Sequence, residues 1–292
     1  MTYEHFLIQL GQCVTARTVD GEVVRQVQVL KNNGVRLDGF SYHIEGRKEQ
    51  PTVYVNQYYR EGMDPEELGK IAEMVLKIQR ESRILQEDDL LKLLDYDSMR
   101  RKIFYRLISK KKNEELLAKA PWLPWMDMAI VFYLRIPEHI VPDATALVYT
   151  NHLEHWGITM GELYRTASKN MSGLSVSIEP METFLESCGI EAGNSGMYIL
   201  TNGRKEYGAA VIVDPEVQRM CYRRLGEDYY VLPSSIHELI LLPGSFATSP
   251  EDLCNLVQEV NENCVSPEDF LSGNVYFYSS ITGQLKQIFT VS

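Results

Sequence analysis

The chain has 292 residues, of which 45% are hydrophobic and 24% are charged. This composition excludes a disordered, collagen-like or disulfide-scaffold protein, and a chain of this length buries a large core without covalent cross-links. Asp and Glu number 40 against 29 Lys and Arg, which gives a formal net charge of −11. That acidic balance argues against a general nucleic-acid coat protein.

Cysteine usage and the apolar runs predict the compartment. The five cysteines form an odd set without C-x-x-C spacing: Cys13, Cys188, Cys221, Cys254 and Cys264. This pattern predicts neither a disulfide framework nor a structural zinc site, and no cofactor motif is present. The N-terminus lacks the features of a signal peptide, and the longest apolar run, at 128–134, falls short of the ~20 residues of a membrane helix. We therefore expect a soluble, cytoplasmic protein with no membrane partner and no cofactor.

The first elements are a helix, a hairpin and a second helix. Apolar spacing predicts a helix over 2–17, and alternation over 23–29 predicts a half-buried strand. Asn32-Asn33-Gly34 then predicts a hairpin turn, because Asn and Gly tolerate positive φ. The return strand follows over 35–43, with a further strand at 52–55. Asp64-Pro65-Glu66 begins the second helix with a capping acid and a proline at the first helical position.

A basic segment lies at residues 99–119 and carries a net charge of +6. Its candidate binding residues are Arg100, Arg101, Lys102, Arg106, Lys110, Lys111 and Lys112. Interleaved apolar residues suggest an amphipathic segment. Such clustering suits phosphate or nucleic acid, whereas a solvated helix face needs only the same residues.

A possible metal or polar site follows a predicted strand pair, 126–136 with 145–149. Asn151 and His152 are candidate binding residues, and His155 stands three positions after His152. Two His on one helix face can bind a metal. No third ligand is evident, so a structural His152 is the simpler interpretation and we predict no metal.

Repeated hairpins set the fold class of the second half. Predicted strands pair at 197–201 with 209–213, at 229–232 with 239–242, and at 275–278 with 285–289. Helices are predicted to begin at Thr159, Asp214, Ser249 and Ser266, the last three each followed by Pro and Glu. Short connections within each pair predict antiparallel hairpins alternating with covering helices, which is an α+β fold. We place a domain boundary near 84–97, giving an N-terminal region 1–90 and a C-terminal region 91–292 that can also form one continuous domain.

One segment carries residues of hydrolase chemistry: Ser234, Ser235, His237 and Glu238. A nucleophilic hydroxyl needs a base within hydrogen-bond reach, and an extended segment puts Ser235 and His237 on one face. The sequence has no G-x-S-x-G elbow. A tight turn capped by Ser hydroxyls is the competing interpretation.

Tyrosine makes up 17 residues and suggests a partner surface. Tyr58-Tyr59 and Tyr229-Tyr230 are adjacent, and Tyr276 and Tyr278 share one strand face. Tyr suits interfaces because it buries area and keeps a polar tip. Packing in the core is the alternative.

Several of these segments together resemble an uncharacterised bacterial family, the domain of unknown function numbered 5688. The similarity is strongest at Asn151-His152-Leu153, Trp156-Gly157-Ile158-Thr159, Glu162-Leu163-Tyr164 and Leu232-Pro233-Ser234-Ser235-Ile236-His237-Glu238. It spans nearly the full chain, which implies one family-wide unit. The family pattern is freer at His155, which weakens the metal interpretation. The resemblance implies no activity.

These observations favour a non-enzymatic binding or regulatory module. Its partner is expected at the Tyr-rich sheet or the basic segment, as another protein, a second copy of the chain, or a phosphate or nucleic acid. The alternatives are a hydrolase using Ser235 or Ser234 with His237, and a metal hydrolase using His152 and His155.

Overall fold

A computed structural model describes residues 1–44, 52–81, 95–138, 144–187, 195–233, 235–246, 250–263 and 265–289. The chain divides into two compact units. The first comprises Met1–Lys31, Val35–Leu91 and His139–Val141, and the second comprises Asn32–Gly34, Lys92–Glu138 and Pro142–Ser292. Most of the predicted boundary segment lies outside the described residues, so the division into 1–90 and 91–292 stays a prediction.

The described residues of the first unit form a three-stranded antiparallel sheet and two α-helices. Its elements are α1 (Tyr3–Thr15), β1 (Glu22–Leu30), β2 (Arg36–Ile44), β3 (Thr52–Tyr54) and α2 (Pro65–Glu81), with sheet order β1-β2-β3. The predicted start of α2 is confirmed, because the Asp64 carboxylate accepts from the Glu66 N–H at 2.8 Å. The Thr2 hydroxyl caps α1 by accepting from the His5 N–H. The core of the unit includes Phe6, Leu10, Phe40, Leu68 and Val75.

The second unit contains two antiparallel sheets. One has β6 (Met128–Arg135) paired with β4 (Ile103–Ser109), β5 (Trp122–Trp125) and β7 (Thr145–Leu147). The other has the order β13-β12-β10-β11-β9-β8. Its strands are β8 (Val176–Pro180), β9 (Tyr198–Asn202), β10 (Tyr229–Pro233), β11 (Leu239–Pro243), β12 (Val275–Ser279) and β13 (Gln284–Phe289).

Seven helices accompany these sheets in the described part of the second unit. They are α3 (Tyr96–Met99), α4 (Glu114–Leu117), α5 (Thr150–Trp156), α6 (Met160–Met171), α7 (Met181–Ser187), α8 (Pro215–Leu225) and α9 (Pro250–Asn263). The predicted starts of α6 and α8 are confirmed, because Thr159 and Glu162 form a capping box and Asp214 caps α8. The α+β class with antiparallel hairpins is confirmed as well.

The six-stranded sheet is buried on both faces. Leu239 and Leu241 belong to the core that fills the space between the two sheets, and Ile240 and Leu242 belong to a second core with Leu253 of α9. Because successive side chains of a strand point to opposite faces, this arrangement explains the unbroken apolar run at 239–242.

Two predicted elements are wrong. Residues Gly208–Val213 form a buried 3₁₀ helix instead of a strand, and β9 pairs with β11 and β8. A short apolar run fits a buried strand and a buried helical turn equally well, so periodicity does not separate them. Ser266–Asp269 forms a single turn and no helix, although Asp269 accepts from the Ser266 hydroxyl at 2.8 Å as in a helix cap.

None of the basic residues of the segment 99–119 lies in an α-helix. Its centre is β4, where Arg106 alone of seven residues is more than marginally exposed. β4 pairs along its length with β6, so the apolar residues of this segment are core residues of a sheet.

The Gly208 backbone passes very close to the backbones of two neighbouring segments. A Cβ at this position would lie 2.5 Å from the His237 carbonyl oxygen and 2.7 Å from the Asn202 N–H nitrogen. Both neighbours are backbone atoms that cannot move aside, so we expect Gly208→Ala to lower the free energy of unfolding by about 1–3 kcal/mol. Chemical denaturation measures this loss.

A matched control is Gly161→Ala in the first turn of α6, where no atom lies within 4 Å of the added Cβ. Alanine favours a helix over glycine, so this variant should lose no stability. Equal stability of the two variants would contradict the close approach at Gly208.

Candidate functional site

The basic residues of the central segment lie in two groups separated by β4. Arg100, Arg101 and Lys102 precede the strand in a 3₁₀ turn, and Lys110, Lys111 and Lys112 follow it. An extended strand rises about 3.3 Å per residue, so Lys102 and Lys110 stand roughly 26 Å apart. The segment therefore presents two small basic groups, with Arg106 half-buried between them, and no continuous basic face.

Ser235 makes its hydrogen bonds within its own turn. Its side chain donates to Glu238 Oε1 at 2.6 Å and accepts from the N–H groups of His237 at 2.9 Å and Glu238 at 3.3 Å. The residue is 5% exposed. These contacts are those of a hydroxyl-capped turn, and they join Ser235 to Glu238. Ser234 lies outside the described residues.

The His237 ring is held by two other residues. Its Nδ1 accepts from the Tyr207 backbone N–H at 3.2 Å, and its Nε2 lies 3.3 Å from Asp269 Oδ1. An Nδ1 that accepts assigns the proton of the neutral ring to Nε2, which then donates to Asp269. Both ring nitrogens are thus occupied, and neither is hydrogen-bonded to Ser235.

Asp269 and His237 shift each other's titration. The hydrogen bond to Asp269 raises the pKa of His237 above its ordinary value, against burial, which lowers it. The same hydrogen bond from His237 lowers the pKa of Asp269, with help from the Ser266 hydroxyl. A protonated His237 would present an Nδ1–H to the Tyr207 N–H, so charging the ring costs the bond that holds Tyr207.

Tyr207 is the strained centre of this group. It has φ 50° and ψ 30°, a left-handed conformation that is costly for a bulky residue. Its ring stacks on His237 at 5.4 Å, and the Arg106 guanidinium lies 4.6 Å from the centre of the Tyr207 ring. The ring edge also meets Tyr133 at 4.9 Å between centroids. Arg106, Tyr207 and His237 thus form a stack beside the Asp269 carboxylate.

A charged cavity of about 270 Å³ lies next to this stack. Glu206, the neighbour of Tyr207, lines it together with Arg135 at the end of β6, Thr145 of β7, Lys102 and Arg204. The Thr145 hydroxyl lies 3.4 Å from the Tyr207 hydroxyl. The cavity is therefore built from residues near the ends of three strands and from the strained turn.

The charges of the cavity are close but not tightly paired. Arg135 Nη2 lies 3.7 Å from Glu206 Oε2, and Arg204 Nη2 lies 3.9 Å from Glu138 Oε1. Both separations exceed the 2.7–3.2 Å of a direct hydrogen bond. The Arg135 side chain is 12% exposed, and its buried Nε and Nη2 have no hydrogen-bond acceptor among the described residues. Buried N–H groups of a guanidinium are costly to leave unpaired, so they mark a place for an acceptor.

The two histidines that the sequence pairs, His152 and His155, have different surroundings. His152 Nδ1 accepts from the Tyr149 backbone N–H at 3.0 Å at the start of α5, and its ring stacks on Trp156 at 5.6 Å. Burial lowers the pKa of His152. Asn151 and His155 are exposed. Among the described residues, no group of three or more His, Cys, Asp or Glu side chains is placed to hold a metal ion.

The prediction of a tyrosine surface is wrong for Tyr229, Tyr276 and Tyr278. Tyr276 and Tyr278 are buried in the core between the sheets, as is Tyr229, whereas Tyr230 lies on the opposite face. The Tyr276 hydroxyl donates to Asp127, which also accepts from Ser272 and Asn274. These phenols are anchored in the interior.

Comparison with known families shows to which family the chain belongs. A model described as "Family of unknown function (DUF5688)" matches residues 3–280. The chain belongs to this family. No curated protein and no solved structure matches the chain. In the described part of the chain, no helix is long and apolar enough to cross a membrane. Membership in the family brings no activity with it, so function has to be argued from geometry.

Sequence reasoning found some residues of the charged cavity and missed others. Lys102 was selected by local charge. Arg135 was not, because it is a lone charge at the end of a predicted strand, and neither were Arg204 and Glu206, because they lie in a short connection between two predicted strands. The useful signal was an arginine that terminates the long apolar strand β6, where a charge at the edge of the core needs a partner.

We expect Asp269→Asn to lower the pKa of His237. An amide cannot balance the imidazolium charge, and the burial that lowers the pKa remains. NMR titration of the His237 ring proton measures the shift. Asp95→Asn, a remote capping acid, should leave the titration unchanged. An unchanged His237 pKa in Asp269→Asn would contradict the proposed pair.

The same pair gives stability a defined pH window. His237 has a raised folded-state pKa, so its contribution is complete below the ordinary value of 6.5 and declines as the pH rises through the folded value. Asp269 has a lowered pKa, so its contribution is present above 3.8 and is lost on further acidification. Asp269→Asn should therefore cost most stability between about pH 4 and 6.5.

Proposed function

We propose that this protein is a non-enzymatic binding module, and that its ligand is a small molecule bearing a carboxylate or phosphate held in the charged cavity. The observation that carries the proposal is the Arg135 guanidinium, whose buried Nε and Nη2 make no hydrogen bond in the described structure and whose Nη2 lies 3.7 Å from Glu206 Oε2. Arginine presents its donors as a planar fork that matches carboxylate and phosphate oxygens. An anion at this position supplies the missing acceptors.

The remaining residues of the cavity support an anion of modest charge. Lys102, Arg135 and Arg204 face two carboxylates, Glu138 and Glu206, so cations are in excess by one. The long Arg135–Glu206 separation means that a ligand oxygen can accept from the guanidinium without displacing a direct hydrogen bond. The Thr145 hydroxyl adds a neutral donor on the same wall.

The division of the basic segment favours a small ligand over nucleic acid. Lys102 reaches the cavity, whereas Lys110 and Lys111 line a different, more open depression at the other end of β4. A duplex needs a continuous row of phosphate contacts. A protein partner or a second copy of the chain stays a prediction, and neither is required by the cavity.

Titration calorimetry with inorganic phosphate, pyrophosphate and succinate at low ionic strength tests the proposal. We expect at least one of these anions to bind, and Lys102→Ala or Arg204→Ala to weaken it about tenfold. That factor is the loss of one charge-assisted contact worth about 1.4 kcal/mol. Arg135→Lys keeps the charge but removes the fork, and it should weaken binding as well.

The matched control is Lys111→Ala, at the opposite end of the same basic segment. It removes an equal charge and should leave anion affinity unchanged. The proposal fails if none of the three anions binds, or if Lys111→Ala weakens binding as much as Lys102→Ala.

The hydrolase alternative, in which Ser235 or Ser234 acts with His237, also stays a prediction. It expects labelling by a serine-reactive phosphonate that is abolished by Ser235→Ala or Ser234→Ala. The contacts of Ser235 and of both His237 nitrogens favour the capped turn, so we expect no labelling. Labelling of the wild type that disappears in either variant would support the hydrolase alternative.

A further inference from the structure

A second cavity, of about 300 Å³, lies elsewhere in the second unit and has a different chemistry. Its apolar lining comes from the end of α6, from β8, from the 3₁₀ segment and from α8: Met171, Leu174, Val176, Val211, Val217 and Met220. The volume is at the lower end of the ~300–1,000 Å³ of small-molecule sites. The cavity therefore suits a small ligand with an apolar body.

One polar group of this cavity is a tyrosine hydroxyl. Tyr105 of β4 is 3% exposed, and its hydroxyl makes no hydrogen bond with any described residue. Burial raises the pKa of Tyr105, so the phenol keeps its proton at neutral pH. A phenol hydroxyl in the wall of a cavity can pair with a polar ligand atom, so Tyr105 offers one hydrogen-bonding group to a ligand.

Asp214 supplies a negative charge at the same cavity. Its Oδ1 accepts from the Glu216 N–H at 2.8 Å as the cap of α8, and no basic side chain of the described structure forms an ion pair with Asp214. The other acid of the lining, Glu216, is already matched by Arg219 at 2.7 Å and Arg223 at 2.6 Å. Within the described part of the chain, no Lys, Arg or His lines the cavity. The uncompensated charge is that of Asp214.

We propose that this cavity is a second binding site, whose ligand is a small apolar amine. The ammonium group lies between the free oxygen of Asp214 and the Tyr105 hydroxyl oxygen, and both oxygens accept from it. The hydrocarbon body lies against the six apolar side chains, two of which are adaptable methionines. The site shares no residue with the charged cavity, so it stands whether or not that cavity binds an anion.

Binding of 2-phenylethylamine, n-pentylamine and cyclohexylamine, followed by ligand-observed NMR and calorimetry, tests the proposal. We expect at least one amine to bind, and its neutral or anionic counterparts, 2-phenylethanol and 3-phenylpropionate for the first, to bind at least tenfold more weakly. Asp214→Asn should weaken amine binding at least tenfold. Tyr105→Phe should weaken it several-fold, because it removes one acceptor and keeps the ring.

The chain offers a close control for Asp214→Asn. Asp64 precedes Pro65 and Glu66 at the start of α2, and its carboxylate accepts from the Glu66 N–H at 2.8 Å, as Asp214 does at α8. Asparagine is a good cap, so both variants keep their helices, which circular dichroism verifies. Asp64→Asn and Lys102→Ala should leave amine affinity unchanged.

Three results would overturn the site. The first is that none of the amines binds the wild-type chain. The second is that 2-phenylethanol binds as tightly as 2-phenylethylamine, which removes the role of charge. The third is that Asp214→Asn binds the amine as the wild type does, or that Asp64→Asn loses it equally.

Discussion

The hydrogen bond from the Tyr207 N–H to His237 Nδ1 is the contact on which the candidate sites depend. It holds Tyr207 in a left-handed conformation that a bulky residue adopts only when its surroundings impose it. The chain can then pass the backbones at Asn202 and His237 closely, which Gly208 allows. From there the 3₁₀ segment enters the core between the two sheets.

The segment 206–214 contributes residues to the walls of both cavities. Glu206, immediately before Tyr207, lines the charged cavity. Val211 and Asp214, at the other end of the segment, line the apolar cavity with its single uncompensated acid. A strand at 209–213, as the sequence predicts, would have placed alternate side chains on opposite faces. The 3₁₀ turn instead buries five successive residues in one core.

The sequence predicts those features that are encoded locally. Asp64, Thr159 and Asp214 mark helix starts because a cap needs only residues two or three positions apart. The pairing of β10 with β11 follows from a short connection between two apolar runs. The capping signal does not produce a helix at Ser266–Asp269. The capping contacts form there, but Asp269 is also held by His237. A tertiary contact there outweighs the local helix signal.

The charged cavity could not be predicted for a related reason. Its residues come from the turn before β4, the end of β6, the start of β7 and the loop after β9. Local charge density selects Lys102 with its neighbours, but it also selects Lys110–Lys112, which β4 carries to the far end of the sheet. Only the pairing of β4 with β6, in which Ile103 lies opposite Leu134, brings Lys102 toward Arg135. Pairing register is a long-range property that charge counting does not contain.

The net charge of −11 acts differently on the two cavities. An acidic molecule attracts a cationic amine and repels an anion at long range, and both effects weaken as salt shortens the screening length. An anion must therefore gain its affinity at short range, from donors that are buried and already oriented. Arg135 meets that requirement, because its donors lie where salt screens them least and its fork adds hydrogen bonds to the charge. The exposed lysines at the other end of β4 do not, since they offer a screened charge on the surface of an acidic protein. Burial and orientation, more than the number of cations, select the end of the basic segment that can hold an anion.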